Sequence, residues 1–257
     1  MGTALGIDIG GTGIKGAIVD SAAGELTTPR EKLRTPAGGE PEPIIATVLE
    51  LLDRIPGADA PDLPVGIAFP TIVKHGRTLS AGNISAHWID YDAEARFEDA
   101  LGRDVFFLND ADAAGHAELR FGAAKDVDGL VIMTTLGTGI GSAFIYNGVL
   151  VPNTEFGHLE LDGEIAEARA ASSAKTREGL SWEEWATRLQ RFYTHLERVF
   201  SPDLFVVGGG ISKESEEFLP LLDLQAPILT AVHRNNAGIL GAAALAADSA
   251  VTRSARG

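Results

Sequence analysis

Gly11-Thr12-Gly13-Ile14 returns unchanged as Gly137-Thr138-Gly139-Ile140, about half of the 257-residue chain further on. Aligned on this tetrapeptide, Ala17 falls on Ala143 and Ile18-Val19 on Phe144-Ile145, and an apolar run precedes each copy, Leu5 to Ile9 and Leu130 to Met133. The chain therefore reads as two related halves, in each of which a strand runs into a glycine turn and out into a second strand. Glycine inside a strand pattern costs about 0.5–1 kcal/mol relative to alanine, yet Gly10, Gly11, Gly13 and Gly16 crowd together here. Something must approach that backbone closely, and two turns that each present N–H groups suit a phosphate. An ordinary hairpin turn explains either copy alone, but poorly explains two in matched register.

Composition narrows the classes. The chain is long enough for one large or two small domains, and 45% hydrophobic residues mark it as globular. No run approaches the ~18–20 apolar residues of a membrane helix. Met1 leads within a few residues into a strand, without a charged-then-apolar leader, so a cytoplasmic protein with no membrane contact is expected. The absence of cysteine excludes disulfides, thiolate nucleophiles and cysteine-ligated zinc. A net charge of −15 argues against nucleic acid and anionic membranes as partners. A polyanionic substrate would need a local basic patch.

Strand and helix patterns alternate along the chain. After the first hairpin, the sequence predicts an extended segment over Glu25 to Leu33, a break at Pro36 to Pro43 and a helix from Ile44 to Ile55. Strands are expected at Val65 to Phe69 and Val105 to Leu108, the latter leading into a helix that Gly122 ends. The second half has strands at Leu130 to Thr135 and Ile140 to Tyr146, then a hairpin turn at Asn147-Gly148 into Val149 to Val151. Ser181 and Glu184 form a capping box for a helix whose apolar stripe is Trp185, Leu189, Phe192, Leu196 and Val199. Leu204 to Val207 is a strand closing on Gly208-Gly209-Gly210. Ala237 to Ala247 is a small-residue helix, followed by a tail, Asp248 to Gly257, expected to be disordered.

Three segments carry chemistry. In the first, Asp8, Gly10, Gly11, Thr12, Gly13 and Lys15 combine a carboxylate at a strand end with a phosphate-sized turn, a hydroxyl and an ammonium. There Asp8 would orient Mg²⁺ through water while Thr12 and Lys15 meet donor oxygens; the plain alternative for Asp8 is a solvated turn residue. Asn109-Asp110-Ala111-Asp112 leaves an apolar strand and opens a helix. Asn and Asp are favoured caps, but one cap suffices, and a sugar hydroxyl needs both an amide and a carboxylate. Glu155 and His158, at i and i+3, would share a face of one helical turn.

These segments, with Leu136 to Gly141 and Val207 to Gly210, resemble in content and order the sugar kinases of the repressor/open-reading-frame/kinase (ROK) family, within the actin-like ATPase superfamily. Val151-Pro152-Asn153-Thr154-Glu155, Leu180 to Glu184 and Phe200 to Leu204 look like the polyphosphate-using glucokinases of that family, glucomannokinases included. The resemblance implies an α/β fold of two actin-like (ribonuclease H-like) domains related by internal duplication, with the active site in the cleft between them. It implies a small N-terminal domain of residues 1–109 with about 236–257, and a larger C-terminal domain of 110–235. The implied reaction moves a phosphoryl group from inorganic polyphosphate, or ATP, to the 6-hydroxyl of glucose or mannose, with Mg²⁺, in a homodimer. Asp110 would be the general base, and Asn83, Asn109, Asp110, Glu155, His158 and Glu167 would hold the sugar. Gly137, Thr138, Gly139, Gly208, Gly209 and Gly210 would join the first turn around the donor.

Typical relatives follow the Gly-His element with a Cys-x-Cys-Gly-x-x-Gly-Cys zinc site. Leu159 to Arg177 holds no cysteine, so no structural zinc is expected and His158 must be oriented by hydrogen bonds or packing. For the donor, Arg30, Lys32 and Arg34 alternate and would share one strand face about 7 Å apart. That row suits a chain of phosphates, or equally protects a sheet edge. Lys175, Arg177, Arg191 and Arg198 are further candidates. Two other readings are a strictly ATP-dependent hexokinase and a sugar-sensing regulator; the latter is disfavoured because Asp8 leaves no room ahead of it for a DNA-binding domain.

Overall fold

A computed structural model describes residues 2–82 and 84–254. By contact the chain divides into two units, Met1–Arg120 with Asn236–Gly257, and Phe121–Asn235.

The first unit opens with β1 (Thr3–Ile9) and β2 (Ile14–Asp20), an antiparallel hairpin in which Ile9 faces Ile14 across the glycine turn. The extended segment expected over Glu25 to Leu33 is two short strands, β3 (Glu25–Leu26) and β4 (Glu31–Leu33), both paired with β2. Pro29, which lacks an N–H to donate, lies in the gap between them. Helix α1 (Pro41–Asp53) starts earlier than expected because Pro41 takes the first helical position, where a missing N–H costs nothing. β5 (Val65–Phe69) follows. A small sheet of β6 (Val73–Lys74), β7 (Arg77–Thr78) and β8 (Tyr91–Asp92) leads to α2 (Ala93–Leu101), β9 (Val105–Asn109) and α3 (Asp110–Phe121). The main sheet runs β3-β2-β1-β5-β9, with β1, β5 and β9 parallel, and its core is Leu5, Ile7, Val48, Leu51, Ile67, Phe69, Trp88 and Phe97.

The second unit repeats this plan. β10 (Leu130–Leu136) and β11 (Ile140–Tyr146) form the matching hairpin, extended by β12 (Val149–Val151). The turn into β12 has Asn147 at φ 47° and Gly148 at 77°, the left-handed pair the sequence predicts. A ribbon of β13 (Glu160–Leu161) and β14 (Glu164–Ile165) precedes α4 (Ala166–Ala170), α5 (Ser172–Glu178) and α6 (Trp182–Phe200). The capping box forms in full, with the Ser181 side chain accepting from the Glu184 N–H and the Glu184 side chain accepting from the Ser181 N–H. Trp185, Leu189, Phe192 and Leu196 are buried as expected, but Val199 is 56% exposed, one turn past the end of the packed face. β15 (Leu204–Gly208), α7 (Ser215–Phe218) and β16 (Ile228–Thr230) complete a sheet ordered β12-β11-β10-β15-β16.

The chain ends in the first unit with α8 (Ala237–Ser254). This helix runs beyond Ala247, through much of the tail expected to be disordered, and Asp248 pairs with Arg120 of α3. The expected domain break after Asn109 also shifts. α3 packs with the first unit, where the Ala113 carbonyl presses on Gly241 of α8, so that unit runs to Arg120 and is the larger of the two.

Candidate active site

The first glycine turn is the four residues Gly10 to Gly13, closed by the Gly10 N–H donating to the Gly13 carbonyl at 3.0 Å. The second is three residues, Gly137 to Gly139, closed by the Gly137 N–H on the Gly139 carbonyl at 3.0 Å. In both, side-chain hydroxyls bind turn carbonyls. Thr35 Oγ1 donates to the Gly10 carbonyl at 2.5 Å, Ser172 Oγ to Gly137 at 2.8 Å and Ser173 Oγ to Thr138 at 2.6 Å. Sequence reasoning missed these three anchors, since nothing in their local pattern ties them to turns 25 and 35 residues away. Among the described residues, the amides of Gly11, Thr12, Gly13, Thr138 and Gly139 donate to no group. A glycine turn with unspent donors of this kind favours an anion.

The third glycine element adjoins the second turn. Gly209, at φ 84°, lies so close to β10 that a Cβ there would meet the Leu136 carbonyl at 2.4 Å, which keeps it glycine. A Cβ on Gly137 or on Gly210 would meet nothing within 4 Å. Bare backbone thus faces open space at the carboxyl ends of β10 and β15, the end of a parallel pair where α/β sheets bind ligands.

Asp8 is the penultimate residue of β1, beside the first turn. Its Oδ2 accepts from Lys15 Nζ at 3.0 Å, and Gly238 leaves room for the carboxyl, since a Cβ there would meet Asp8 Cγ at 2.8 Å. No cluster of three His, Asp or Glu side chains suited to a metal occurs among the described residues. A divalent ion at Asp8 would therefore be held mainly by waters and ligand oxygens, as suits Mg²⁺.

Asn109 is the cap that its type favours. Its Oδ1 accepts from the Ala111 and Asp112 N–H groups at 2.8 and 3.1 Å, and its Nδ2 donates to the Thr71 carbonyl at 2.9 Å. It is 6% exposed, with its carbonyl oxygen fully used. Asp110, first residue of α3, is half-buried. Asn83 lies outside the described residues.

In the second unit, Phe156–His158 is a single 3-10 turn with Glu155 at its start. Ser142 Oγ accepts from the Phe156 N–H at 2.9 Å and donates to the Thr154 carbonyl at 2.7 Å, while the Phe156 ring packs on Phe144 and Phe200. Gly157 sits against β11, where a Cβ would meet the Ile140 carbonyl at 2.3 Å. These contacts fix the turn that carries His158. His158 Nε2 lies 3.6 Å from Glu167 Oε1, longer than a hydrogen bond, and Glu167 Oε2 accepts from the Ile140 N–H at 3.1 Å. Glu167 thereby joins His158 to the second glycine turn. Burial pushes the Glu155 carboxyl above its ordinary value of 4.5, His158 pulls it down and Glu167 adds to the rise.

Of the expected cations, three are occupied. Lys175 Nζ donates to the Leu180 carbonyl and sits 4.0 Å over the Trp182 ring, Arg177 binds Glu178 and the Ala168 carbonyl, and Arg191 binds Asp162. Arg30, Lys32 and Arg34 all lie on the exposed side of the β4 region, with Arg30 donating to Asn236 Oδ1 at 2.8 Å.

Comparison with known proteins agrees with this architecture. A profile of the ROK family matches residues 4–179. The chain is 45% identical over 240 residues to the polyphosphate glucokinase of Mycobacterium tuberculosis, covering 93% of this chain and 89% of that one. It is 50% identical to the crystallised inorganic polyphosphate/ATP-glucomannokinase of Arthrobacter sp. strain KM, with a TM-score of 0.93 over 97% of this chain and 100% of that one. A ROK family glucokinase from Streptomyces griseus, solved with glucose and AMPPNP, is 26% identical at a TM-score of 0.82, covering 96% of this chain and 100% of that one. Paired glycine hairpins, a strand-to-helix Asn-Asp exit and these likenesses together make the chain a member of the ROK family, with the actin-like α/β fold of its sugar kinases.

Proposed function

We propose that this protein transfers the terminal phosphoryl group of inorganic polyphosphate, with ATP as a second donor, to the 6-hydroxyl of glucose, and that it accepts mannose as well. The observation that carries the reading is the pair of glycine turns whose carbonyls are bound by side-chain hydroxyls and whose amides are unspent. The polyphosphate glucokinase of M. tuberculosis and the Arthrobacter glucomannokinase support the choice of substrates.

Phosphoryl transfer passes through a loose transition state, so the protein chiefly positions groups and stabilises charge. Asp110 accepts the proton of the 6-hydroxyl as its oxygen bonds to phosphorus, and the bridging P–O bond breaks to leave a donor one phosphate shorter. Asn83, Asn109, Glu155, His158 and Glu167 hold the sugar. For Asn109 the role falls to its remaining amide hydrogen, because its carbonyl oxygen caps α3. The amides of residues 11–13 and 138–139, with Gly208 to Gly210, hold the donor. Mg²⁺ near Asp8 would supply charge neutralisation on the phosphates. The family likeness extends the reading to a homodimer.

A coupled assay of glucose 6-phosphate, run with polyphosphate and with ATP, tests the proposal. Turnover with polyphosphate that excess chelator abolishes supports it. Turnover with ATP alone replaces it with an ordinary hexokinase, and none with either donor refutes it.

A further inference from the structure

Strand register sets Asp8, Lys15 and Lys32 side by side across β1, β2 and β4, Asp8 facing Lys15 and Lys15 facing Lys32. Lys15 is engaged by Asp8. Lys32 therefore faces another lysine, and like charges directly opposite on an antiparallel pair are destabilising. Its side chain folds over the first glycine turn: a Cβ on Gly13 would lie 2.6 Å from Lys32 Cε and 3.5 Å from Nζ. Gly13 has no left-handed backbone to explain it, so what approaches this glycine is the protein's own lysine. Among the described residues Lys32 makes no hydrogen bond or ion pair, which leaves its ammonium over a turn of unspent amides.

We propose that Lys32 is a donor-phosphate ligand: its ammonium, with Lys15 beside it, and the amides of Gly11 to Gly13 close on one phosphate group of the donor. The inference rests on the phosphotransferase reading and refines the cation row. Lys32 serves short and long donors alike, because it sits on the turn itself. The bound anion also offsets the repulsion between the two lysines.

The test is calorimetric titration of the full chain with tripolyphosphate and, separately, with glucose. Losing one charge-assisted contact weakens binding by about ten- to a hundredfold, so Lys32→Gln should weaken tripolyphosphate binding by that factor and leave glucose binding unchanged. Lys32→Arg should retain most of the affinity. Exposed Lys74→Gln, with the same change in net charge, should have no effect. Gly13→Ala should displace the lysine end and mimic Lys32→Gln, with little added loss in the double variant. Wild-type tripolyphosphate affinity in Lys32→Gln would overturn the assignment while leaving the kinase reading standing. A wild-type chain that binds no tripolyphosphate and phosphorylates no glucose overturns both.

Discussion

At the scale of single residues, two carboxylates offer opposite tests. Asp110→Asn keeps the shape of the first turn of α3 but removes the base. It should lower kcat by about 10²–10⁴ with glucose affinity nearly intact, and a variant with more than half of wild-type kcat rules Asp110 out. Glu155 is a half-buried acid whose carboxyl is raised chiefly by burial. A raised carboxyl binds its proton more tightly when folded, so its charge costs stability above the ordinary value of 4.5, and the cost fades as pH falls through the raised value. Glu155→Gln should therefore raise Tm at pH 7 to 8 yet match wild type near pH 4, while weakening glucose binding at neutral pH. Thermal denaturation at both pH values decides this; an equal loss of Tm at each would show that Glu155 acts as a structural acceptor instead.

At the scale of elements, α8 lies so close to the first sheet that side chains are excluded. Gly6 and Gly66 are register partners on β1 and β5, and a Cβ on either would lie 2.0 Å from a carbonyl of α8, Ile239 or Ala242. Backbone cannot swing aside as a side chain does. Gly66→Ala should cost at least about 1–3 kcal/mol, read as a Tm fall of about 2–4 °C per kcal/mol. Ser181→Ala, which opens the capping box of α6, should cost about 1 kcal/mol. If Gly66→Ala proves milder than Ser181→Ala, the helix is not seated as tightly as these distances require.

For the whole molecule, the governing fact is a net charge of −15 on a protein proposed to bind a polyanion. Attraction must come from exposed local cations, and salt screens these over about 8–10 Å near physiological ionic strength. Wild-type KM for long polyphosphate should rise with added salt while KM for glucose barely moves. The Arg30→Gln, Lys32→Gln, Arg34→Gln triple variant should start from a higher polyphosphate KM and show a flatter salt dependence. Parallel salt curves for the two proteins would remove the row from the donor's path.

Features that depend on near neighbours along the chain, or on repetition, are legible from the residues alone. The duplicated glycine turns, the Asn147-Gly148 hairpin, the Ser181 capping box and the strand-to-helix exit at Asn109 are all local patterns, and each stands where its residues put it. Only the tertiary structure could show that Thr35, Ser172 and Ser173 hold the turns, because those bonds span 25 to 35 residues and leave no periodic trace. It alone decided that Asp248 continues α8 and pairs with Arg120, that Lys175 is tied down by Trp182, and that Lys32 lies across Gly13. A charged residue in a sequence can face water, an ion partner or a ligand. Which of these it meets depends on what strand register and packing set beside it.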